Sequence, residues 1–297
     1  MKQIHNTPLG DGGTFIQYLQ QKKLSPGTIS NYSFYIKCFT DWIKKEELKA
    51  EEFTYNDLLD FMRHLNSIGK SKKIIHHLLC IVRHYCNYLI VEKKRNDNPA
   101  AGIFIKGLVR KLPANLLSIE AMEELFKQYS IQLHVDSSKK IMFGLMIYQG
   151  LTVGEIMRLQ SHHLRLKDGK IFIKATKRTN ERLLGLQAVQ ITELQSYLQV
   201  CKFKESVLFI EPGRKEVSEF NINNRIQYMF KQLKQLNPKV INPKQIRSSV
   251  ITFWLRQNNL RQVQYMAGHK HVSSTERYQA NNLDDLQNEL NQHHPMK

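Results

Sequence analysis

The sequence predicts a mainly α fold with a small β-hairpin sheet, an α+β chain built from two mostly helical domains. Three observations carry that reading. Apolar residues recur at helical spacing through the first third of the chain. The texture then changes at KGLVRKLPANLLS, where Gly107, Pro113 and the basic residues between them suit an extended linker. Beyond it, DGKIFIKATKRTNERLLGLQ joins an Asp-Gly turn to β-branched alternation, the pattern of a hairpin. A length of 297 residues suits about two domains.

The elements follow in order. Ser25 and Pro26 read as a helix entry, with Ser as the cap and Pro at the first helical position. Ile29, Tyr32, Ile36, Phe39 and Ile43 then form one apolar stripe. Thr54 and Asp57 mark a second start, with Leu58, Phe61, Met62 and Leu65 as its buried side. A third helix, SKKIIHHLLCIVRHYCNYLIVEKK, buries Ile75, Leu78, Leu79, Val82, Tyr85 and Leu89 and stops before RNDNPAAG. Basic residues on all three let one side of the bundle face phosphate. Past the linker, Ser118 is placed to cap a helix holding Met122, Leu125 and Phe126, and a long apolar helix follows around KKIMFGLMIYQGL. SVLFI suits a further short strand. The remainder reads as helical, ending in LDDLQNELNQHH with Leu283, Leu286 and Leu290 on one stripe.

Charge is the strongest bulk signal. Lys and Arg number 44 against 26 Asp and Glu, a formal net charge of +18. Such an excess implies a polyanionic partner, and double-stranded nucleic acid leads because phosphate neutralisation drives that binding. Anionic lipid fits less well, because no polybasic block adjoins an apolar anchor. No run approaches the roughly 18 apolar residues of a membrane span. MKQIHNTPLGDGG has no apolar leader core, so the expected location is cytoplasmic. Cys38, Cys80, Cys86 and Cys201 show no CxxC spacing and read as reduced thiols.

Cleaving a phosphodiester needs a nucleophile, charge for the developing oxyanion and an acid for the leaving oxygen. The sequence has no paired-carboxylate cluster for two metals and no Gly-rich phosphate loop. It does have KQIRSS, AGHKHVSSTERY and a lysine in the hairpin. Taken singly, each has a plainer reading. Tyr278 suits a half-buried helix tyrosine and His269 a loop histidine, while Lys177 sits among Lys174, Arg178 and Arg182 on one basic face. His76, Cys80 and His84, four apart along one helix, offer a rival metal site. Ligands spread along one straight helix seldom converge on one ion, so no metal is expected.

Together these stretches resemble the tyrosine recombinases of the phage-integrase and Xer type. That family ends on Leu-Gly-His, eight residues and Tyr; here Ala267-Gly268-His269 is followed by Tyr278 at the same spacing. Its His-x-x-Arg is written Lys244-Gln245-Ile246-Arg247, and TKRTNERLLGL places Lys177 where the family has its hairpin lysine. LSPGTISNYSFYIKCFTDW and DNPAAGI resemble its core-binding domain. The likeness runs over about residues 14–285. It implies a SAM-like core-binding domain over residues 1–106, a linker over 107–113 and a catalytic domain over 114–297. Tyr278 would attack the scissile phosphorus to give a 3′-phosphotyrosine, and Lys177 would protonate the departing 5′ oxygen. Arg247 would contact nonbridging oxygens, with Lys244 and His269 assisting charge and proton placement. No cofactor or metal is implied. The expected substrate is a DNA core site with inverted half-sites, recombined for a phage or mobile element through a Holliday junction by a homotetramer that is monomeric when free. The chain begins close to its first helices, so no arm-type domain is expected. The terminal leucine stripe either closes the protein's own core or docks into a neighbouring protomer.

One position departs from the family. Its catalytic set opens with an arginine in TGLRISEL, and the matching stretch here is QGLTVGEI, with Thr152 at the arginine's place. A hydroxyl cannot reproduce the bidentate guanidinium grip, and losing one such donor slows cleavage by about 10²–10³. Arg158, six positions on, is expected on another side of the helix. The substitution motivates an alternative, a weakened or inactive DNA-binding protein on the same scaffold. Nicking and resealing in the manner of type IB topoisomerases is a third reading.

Overall fold

The computed structural model describes residues 14–107, 115–131, 136–200, 207–209 and 219–279. It divides into two compact units, Met1–Arg110 and Lys111–Lys297. Residues 108–113 of the expected linker, and the leucine stripe at 283, 286 and 290, lie outside the described residues.

The first unit is four helices, α1 (Phe15–Gln21), α2 (Pro26–Lys45), α3 (Tyr55–Ser67) and α4 (Lys72–Val91). Each opens on a hydroxyl cap, Thr14, Ser25, Thr54 or Ser71, which accepts the backbone N–H three residues on. Helix α1 has too short an apolar stripe to be read from spacing; a Thr14–Gln17 capping box defines it. Phe39 anchors the core, edge-on to Phe53 at 5.1 Å and to Phe61 at 5.0 Å. Met62, expected in the buried stripe, is only half-buried beside it. Helix α4 ends at Val91, three residues before the last lysine of its apolar run, because Lys93 turns left-handed with φ 55°. By length and composition α4 could cross a membrane, contrary to the expectation that no segment could. Here its apolar residues Ile75, Leu78, Leu79, Val82 and Leu89 are buried in the unit's own core. Among its basic residues, Arg83 does not face outward for phosphate: Nε donates to the Ala100 carbonyl at 3.1 Å and Nη2 to Ile103 at 3.0 Å.

The second unit contains α5 (Ile119–Ile131), α6 (Ser137–Tyr148) and a single turn α7 (Val153–Ile156). A three-stranded antiparallel sheet follows in order β1 (Leu164–Arg165), β2 (Lys170–Ile173) and β3 (Arg182–Gly185). Helices α8 (Ala188–Val200), α9 (Glu219–Leu236), α10 (Pro243–Gln257) and α11 (Leu260–Ala267) complete it, and residues 273–279 are helical again. Ser118 caps α5 as expected, accepting from Ala121 N at 3.2 Å. Helix α6 is buried on every side from Ile141 to Ile147, which is why its sequence is apolar all round. Against it pack Ile246, Val250, Ile251 and Trp254 of α10, with Ile171, Ile173 and Leu184 of the sheet in the same core. The register pairs Ile173 with Arg182 and Lys170 with Gly185. SVLFI contributes less than a strand: Val207 makes one bridge to Gln160.

Candidate active site

The centre of the second unit's polar cluster is Arg247. It lies on the second turn of α10, whose start is fixed by Asn242 as cap and Pro243 at the first position. The side chain is almost wholly buried, with Nη1 donating to the Gly150 carbonyl and Nη2 to the Ala267 carbonyl at 2.6 Å. Both acceptors sit on left-handed turns or beside one. Gly150 has φ 60°, and a Cβ there would come within 3.2 Å of the Trp254 ring. Gly268, next to Ala267, has φ 67°, and a Cβ would lie 2.6 Å from Arg182 Nη1. Only glycine suits either position.

Among the described residues, Glu155 supplies the one buried carboxylate beside this guanidinium. Its Oε2 lies 3.8 Å from Arg247 Nη1 and accepts both the backbone N–H and the hydroxyl of Thr152 at 2.9 Å. Its Oε1 accepts from Arg182 Nη1 at 2.7 Å. Burial alone would push this carboxyl up; the Arg182 hydrogen bond and the charges of Arg182 and Arg247 outweigh it and hold the group below its ordinary value. Thr152 is therefore the cap of α7, and its hydroxyl is committed to Glu155.

His269 follows the Gly268 turn. Its Nδ1 is 2.9 Å from Thr275 Oγ1, a hydroxyl with no exposure. Burial, and then the charges of Arg247, Arg182 and Arg277, push its pKa down to about 4. The imidazole is therefore neutral at neutral pH, a hydrogen-bonding group and not one of the cations. The Tyr278 ring stacks on it, centroids 5.9 Å apart and planes 15° from parallel. Tyr278 is half-buried at the edge of the core. It also lies close enough to Arg247 to interact with it electrostatically.

Arg247, His269 and Tyr278 thus come together. Lys177 and Lys244 stand differently. Lys177 is exposed at the tip of the turn between β2 and β3, where the Thr176 and Thr179 hydroxyls meet at 2.8 Å. That tip is tied to the histidine turn: Thr179 bridges to His269, and Asn180 N donates to the Gly268 carbonyl at 2.9 Å. Lys244 is exposed on the first turn of α10, three residues before Arg247. Arg158 was expected on a helix with Thr152, and α7 is a single turn that ends at Ile156. It lies beyond that turn, and its Nη2 is 3.3 Å from where a Gly154 Cβ would stand. In the first unit His76 and Cys80 touch at 3.6 Å, whereas His84 packs against the Tyr32 ring at 5.4 Å, so the three do not converge.

Sequence reasoning missed Glu155, Thr275 and the burial of Arg182. A signal for Arg182 existed. It shares the inward face of β3 with Leu184, and an arginine at an inward position demands a partner.

A helical unit followed by a mainly helical second unit with a small antiparallel sheet has counterparts among known proteins. Residues 115–284, more than half of the chain, match the phage integrase family, and residues 13–92 match its N-terminal SAM-like domain. The chain belongs to the phage integrase family, the tyrosine recombinases, whose members cleave and rejoin DNA strands in site-specific recombination. It is similar to tyrosine recombinase XerC of Psychromonas ingrahamii, 26% identical over 291 residues and 95% of each chain. Tyrosine recombinase XerA of Thermococcus kodakarensis is 23% identical over 267 residues, 89% of this chain and 88% of the relative. Among solved structures, the Tn1549 transposon integrase in complex with transposon right end DNA superposes with a TM-score of 0.67 at 14% identity, over 95% of this chain and 99% of the other. The XerH site-specific recombinase bound to difH substrate gives 0.67 at 16% identity, over 89% and 79%.

Proposed function

We propose that Tyr278 is the nucleophile of a site-specific recombinase that acts on double-stranded DNA in the cytoplasm. Its phenolic oxygen bonds to the scissile phosphorus and the bond to the 5′ oxygen breaks, leaving a 3′-phosphotyrosine and a 5′-hydroxyl. Lys177 gives the leaving oxygen its proton from the tip of the hairpin. Arg247 and Lys244 hold charge against the nonbridging oxygens, and neutral His269, stacked on Tyr278, takes the phenolic proton as the tyrosine attacks. In the return step an incoming 5′-hydroxyl displaces the tyrosine, so the energy of the broken linkage is retained and no cofactor enters. The observation that carries this reading is the stacking of Tyr278 on His269 beside buried Arg247.

Both units contribute to DNA binding, and a linker near residues 107–113 joins them. Exchange between two duplexes carrying inverted half-sites then needs four protomers and a Holliday junction, with the leucines at 283, 286 and 290 docking in a neighbour. The solved relatives bound to transposon-end and difH DNA support a DNA partner, and a mobile element or phage is the expected source of the site.

A second reading, a DNA-binding protein with little catalysis, is favoured by one observation. Thr152, which we align with the family's first arginine, has its hydroxyl committed to Glu155 and offers phosphate nothing. The two separate on a nicked suicide duplex carrying a core site selected from random DNA by binding. An adduct that survives SDS, disappears in Tyr278→Phe and persists in Tyr265→Phe establishes the recombinase. Tyr265 is the right control because its hydroxyl accepts a hydrogen bond from Leu183 N at 3.0 Å, away from the motif that ends on Tyr278. Tight binding with no adduct leaves the second reading.

A further inference from the structure

Thr152 leaves the phosphate site one guanidinium short, and a second buried guanidinium stands in the same cluster. Arg182 opens β3, and its side chain has no solvent exposure. Its Nη1 is fixed on Glu155, but Nε and Nη2 have no hydrogen-bond partner among the described residues. Buried N–H groups without partners are costly and uncommon in native proteins, so a pair of them on one side chain calls for a reason.

Three observations tie this side chain to the site. Arg182 and Arg247 share one carboxylate, Glu155, through its two oxygens. The turn that presents His269 closes directly on Arg182, with Gly268 the residue whose missing Cβ makes room. The turn leading into the strand that carries Arg182 is stitched to that same histidine turn through Asn180 N and the Gly268 carbonyl at 2.9 Å. Charge completes the argument. Two guanidiniums against one carboxylate leave the cluster at +1, whereas Arg247 and Glu155 alone would cancel. With a neutral His269 and a neutral Thr152, a site without Arg182 would hold no net buried charge to meet a phosphate.

We propose that Arg182 supplies the scissile-phosphate site with the second guanidinium charge that Thr152 does not, as a positioning residue acting through Glu155 and Arg247. The proposal rests on the recombinase reading above. Arg158 is the rival, since its guanidinium lies beside Gly154, but it is exposed and next to the turn rather than joined to Glu155 and the histidine turn.

The test uses the full chain carrying Arg182→Gln, Arg182→Lys or Arg158→Gln, each with and without Thr152→Arg, on the selected suicide duplex under single-turnover conditions. Arg182→Gln is expected to slow adduct formation by about 10²–10³-fold. Arg182→Lys, which keeps a charge but loses the fork, should slow it less. Thr152→Arg should recover most of either loss, which a purely structural role would not allow. Parental rates in a folded Arg182→Gln protein that binds DNA normally would overturn the proposal, as would the loss appearing in Arg158→Gln instead. If Arg182→Gln does not fold, Arg182→Lys decides: a slowing that Thr152→Arg reverses supports the proposal, and a slowing that Thr152→Arg leaves untouched overturns it.

A second measurement is independent of cleavage. Following the His269 imidazole by NMR, removal of the Arg182 charge should raise its titration midpoint. A midpoint that stays put would overturn the proposal even if the parent bound DNA and formed no adduct. That last result would sink the recombinase reading separately.

Discussion

At the scale of single residues, the site depends on backbone as much as on side chains. Arg247 is aimed by two carbonyls, and both are where they are because a left-handed glycine stands at or beside them. Gly268→Ala should destabilise the second unit by roughly 2 kcal/mol or more, the sum of left-handed strain and a clash with Arg182. Urea unfolding would measure it, and DNA cleavage should fall further than stability does. The histidine makes a prediction of opposite character. Its folded pKa, about 4, lies below the unfolded value near 6.5. The unfolded chain therefore binds more protons between those limits. Stability contributed by neutral His269 is complete above about pH 6.5 and is lost as pH falls towards 4. Unfolding midpoints taken at pH 7 and pH 5 should differ, and His269→Gln should shrink the difference. Glu155, held below its ordinary value of 4.5, adds a further loss of stability as pH falls below that value.

At the scale of elements, caps define where the helices begin. Ser25, Thr54 and Ser118 were readable because a hydroxyl followed by a helical stripe has one good use. Asn242 holds α10 in the same way, and Asn242→Ala should cost about 1 kcal/mol in thermal unfolding. What spacing could not supply was the destination of a charged side chain. Arg83 lies on a helix of plausible DNA contact, yet it fastens the loop at Ala100 and Ile103. Arg83→Gln should lower the melting temperature of the protein while leaving the salt dependence of DNA binding unchanged; a shallower salt slope would show that it touches phosphate after all. The turn α7 teaches the same lesson from the other side. Its sequence looked like the start of a longer helix, but it runs for one turn only, and its capping glutamate Glu155 also accepts from Arg182 of β3.

At the scale of the whole molecule, a net charge of +18 should make association with DNA steeply dependent on salt. Each phosphate neutralised should contribute about −0.9 to the slope of log affinity against log salt. Titrations between 50 and 200 mM salt should therefore show a steep fall, and a flat response would refute the reading of this charge. Division into two units was visible in the change of texture near residue 110, since a helical stripe cannot run through a stretch bounded by Gly107 and Pro113.

Sequence by itself determined the helical class, the hairpin, the basic partner surface and the linear spacing of Arg247, His269 and Tyr278, because each is a periodicity, a charge or a motif written along the chain. The tertiary structure alone decided what those groups are electrically. Burial makes His269 neutral, the Glu155 carboxylate is divided between two arginines from distant elements, and Thr152 turns inward as a cap. The reason is physical: solvent exclusion and short-range pairing depend on which segments meet in three dimensions, and residues 155, 182, 247 and 269 meet only once the sheet closes on the helices.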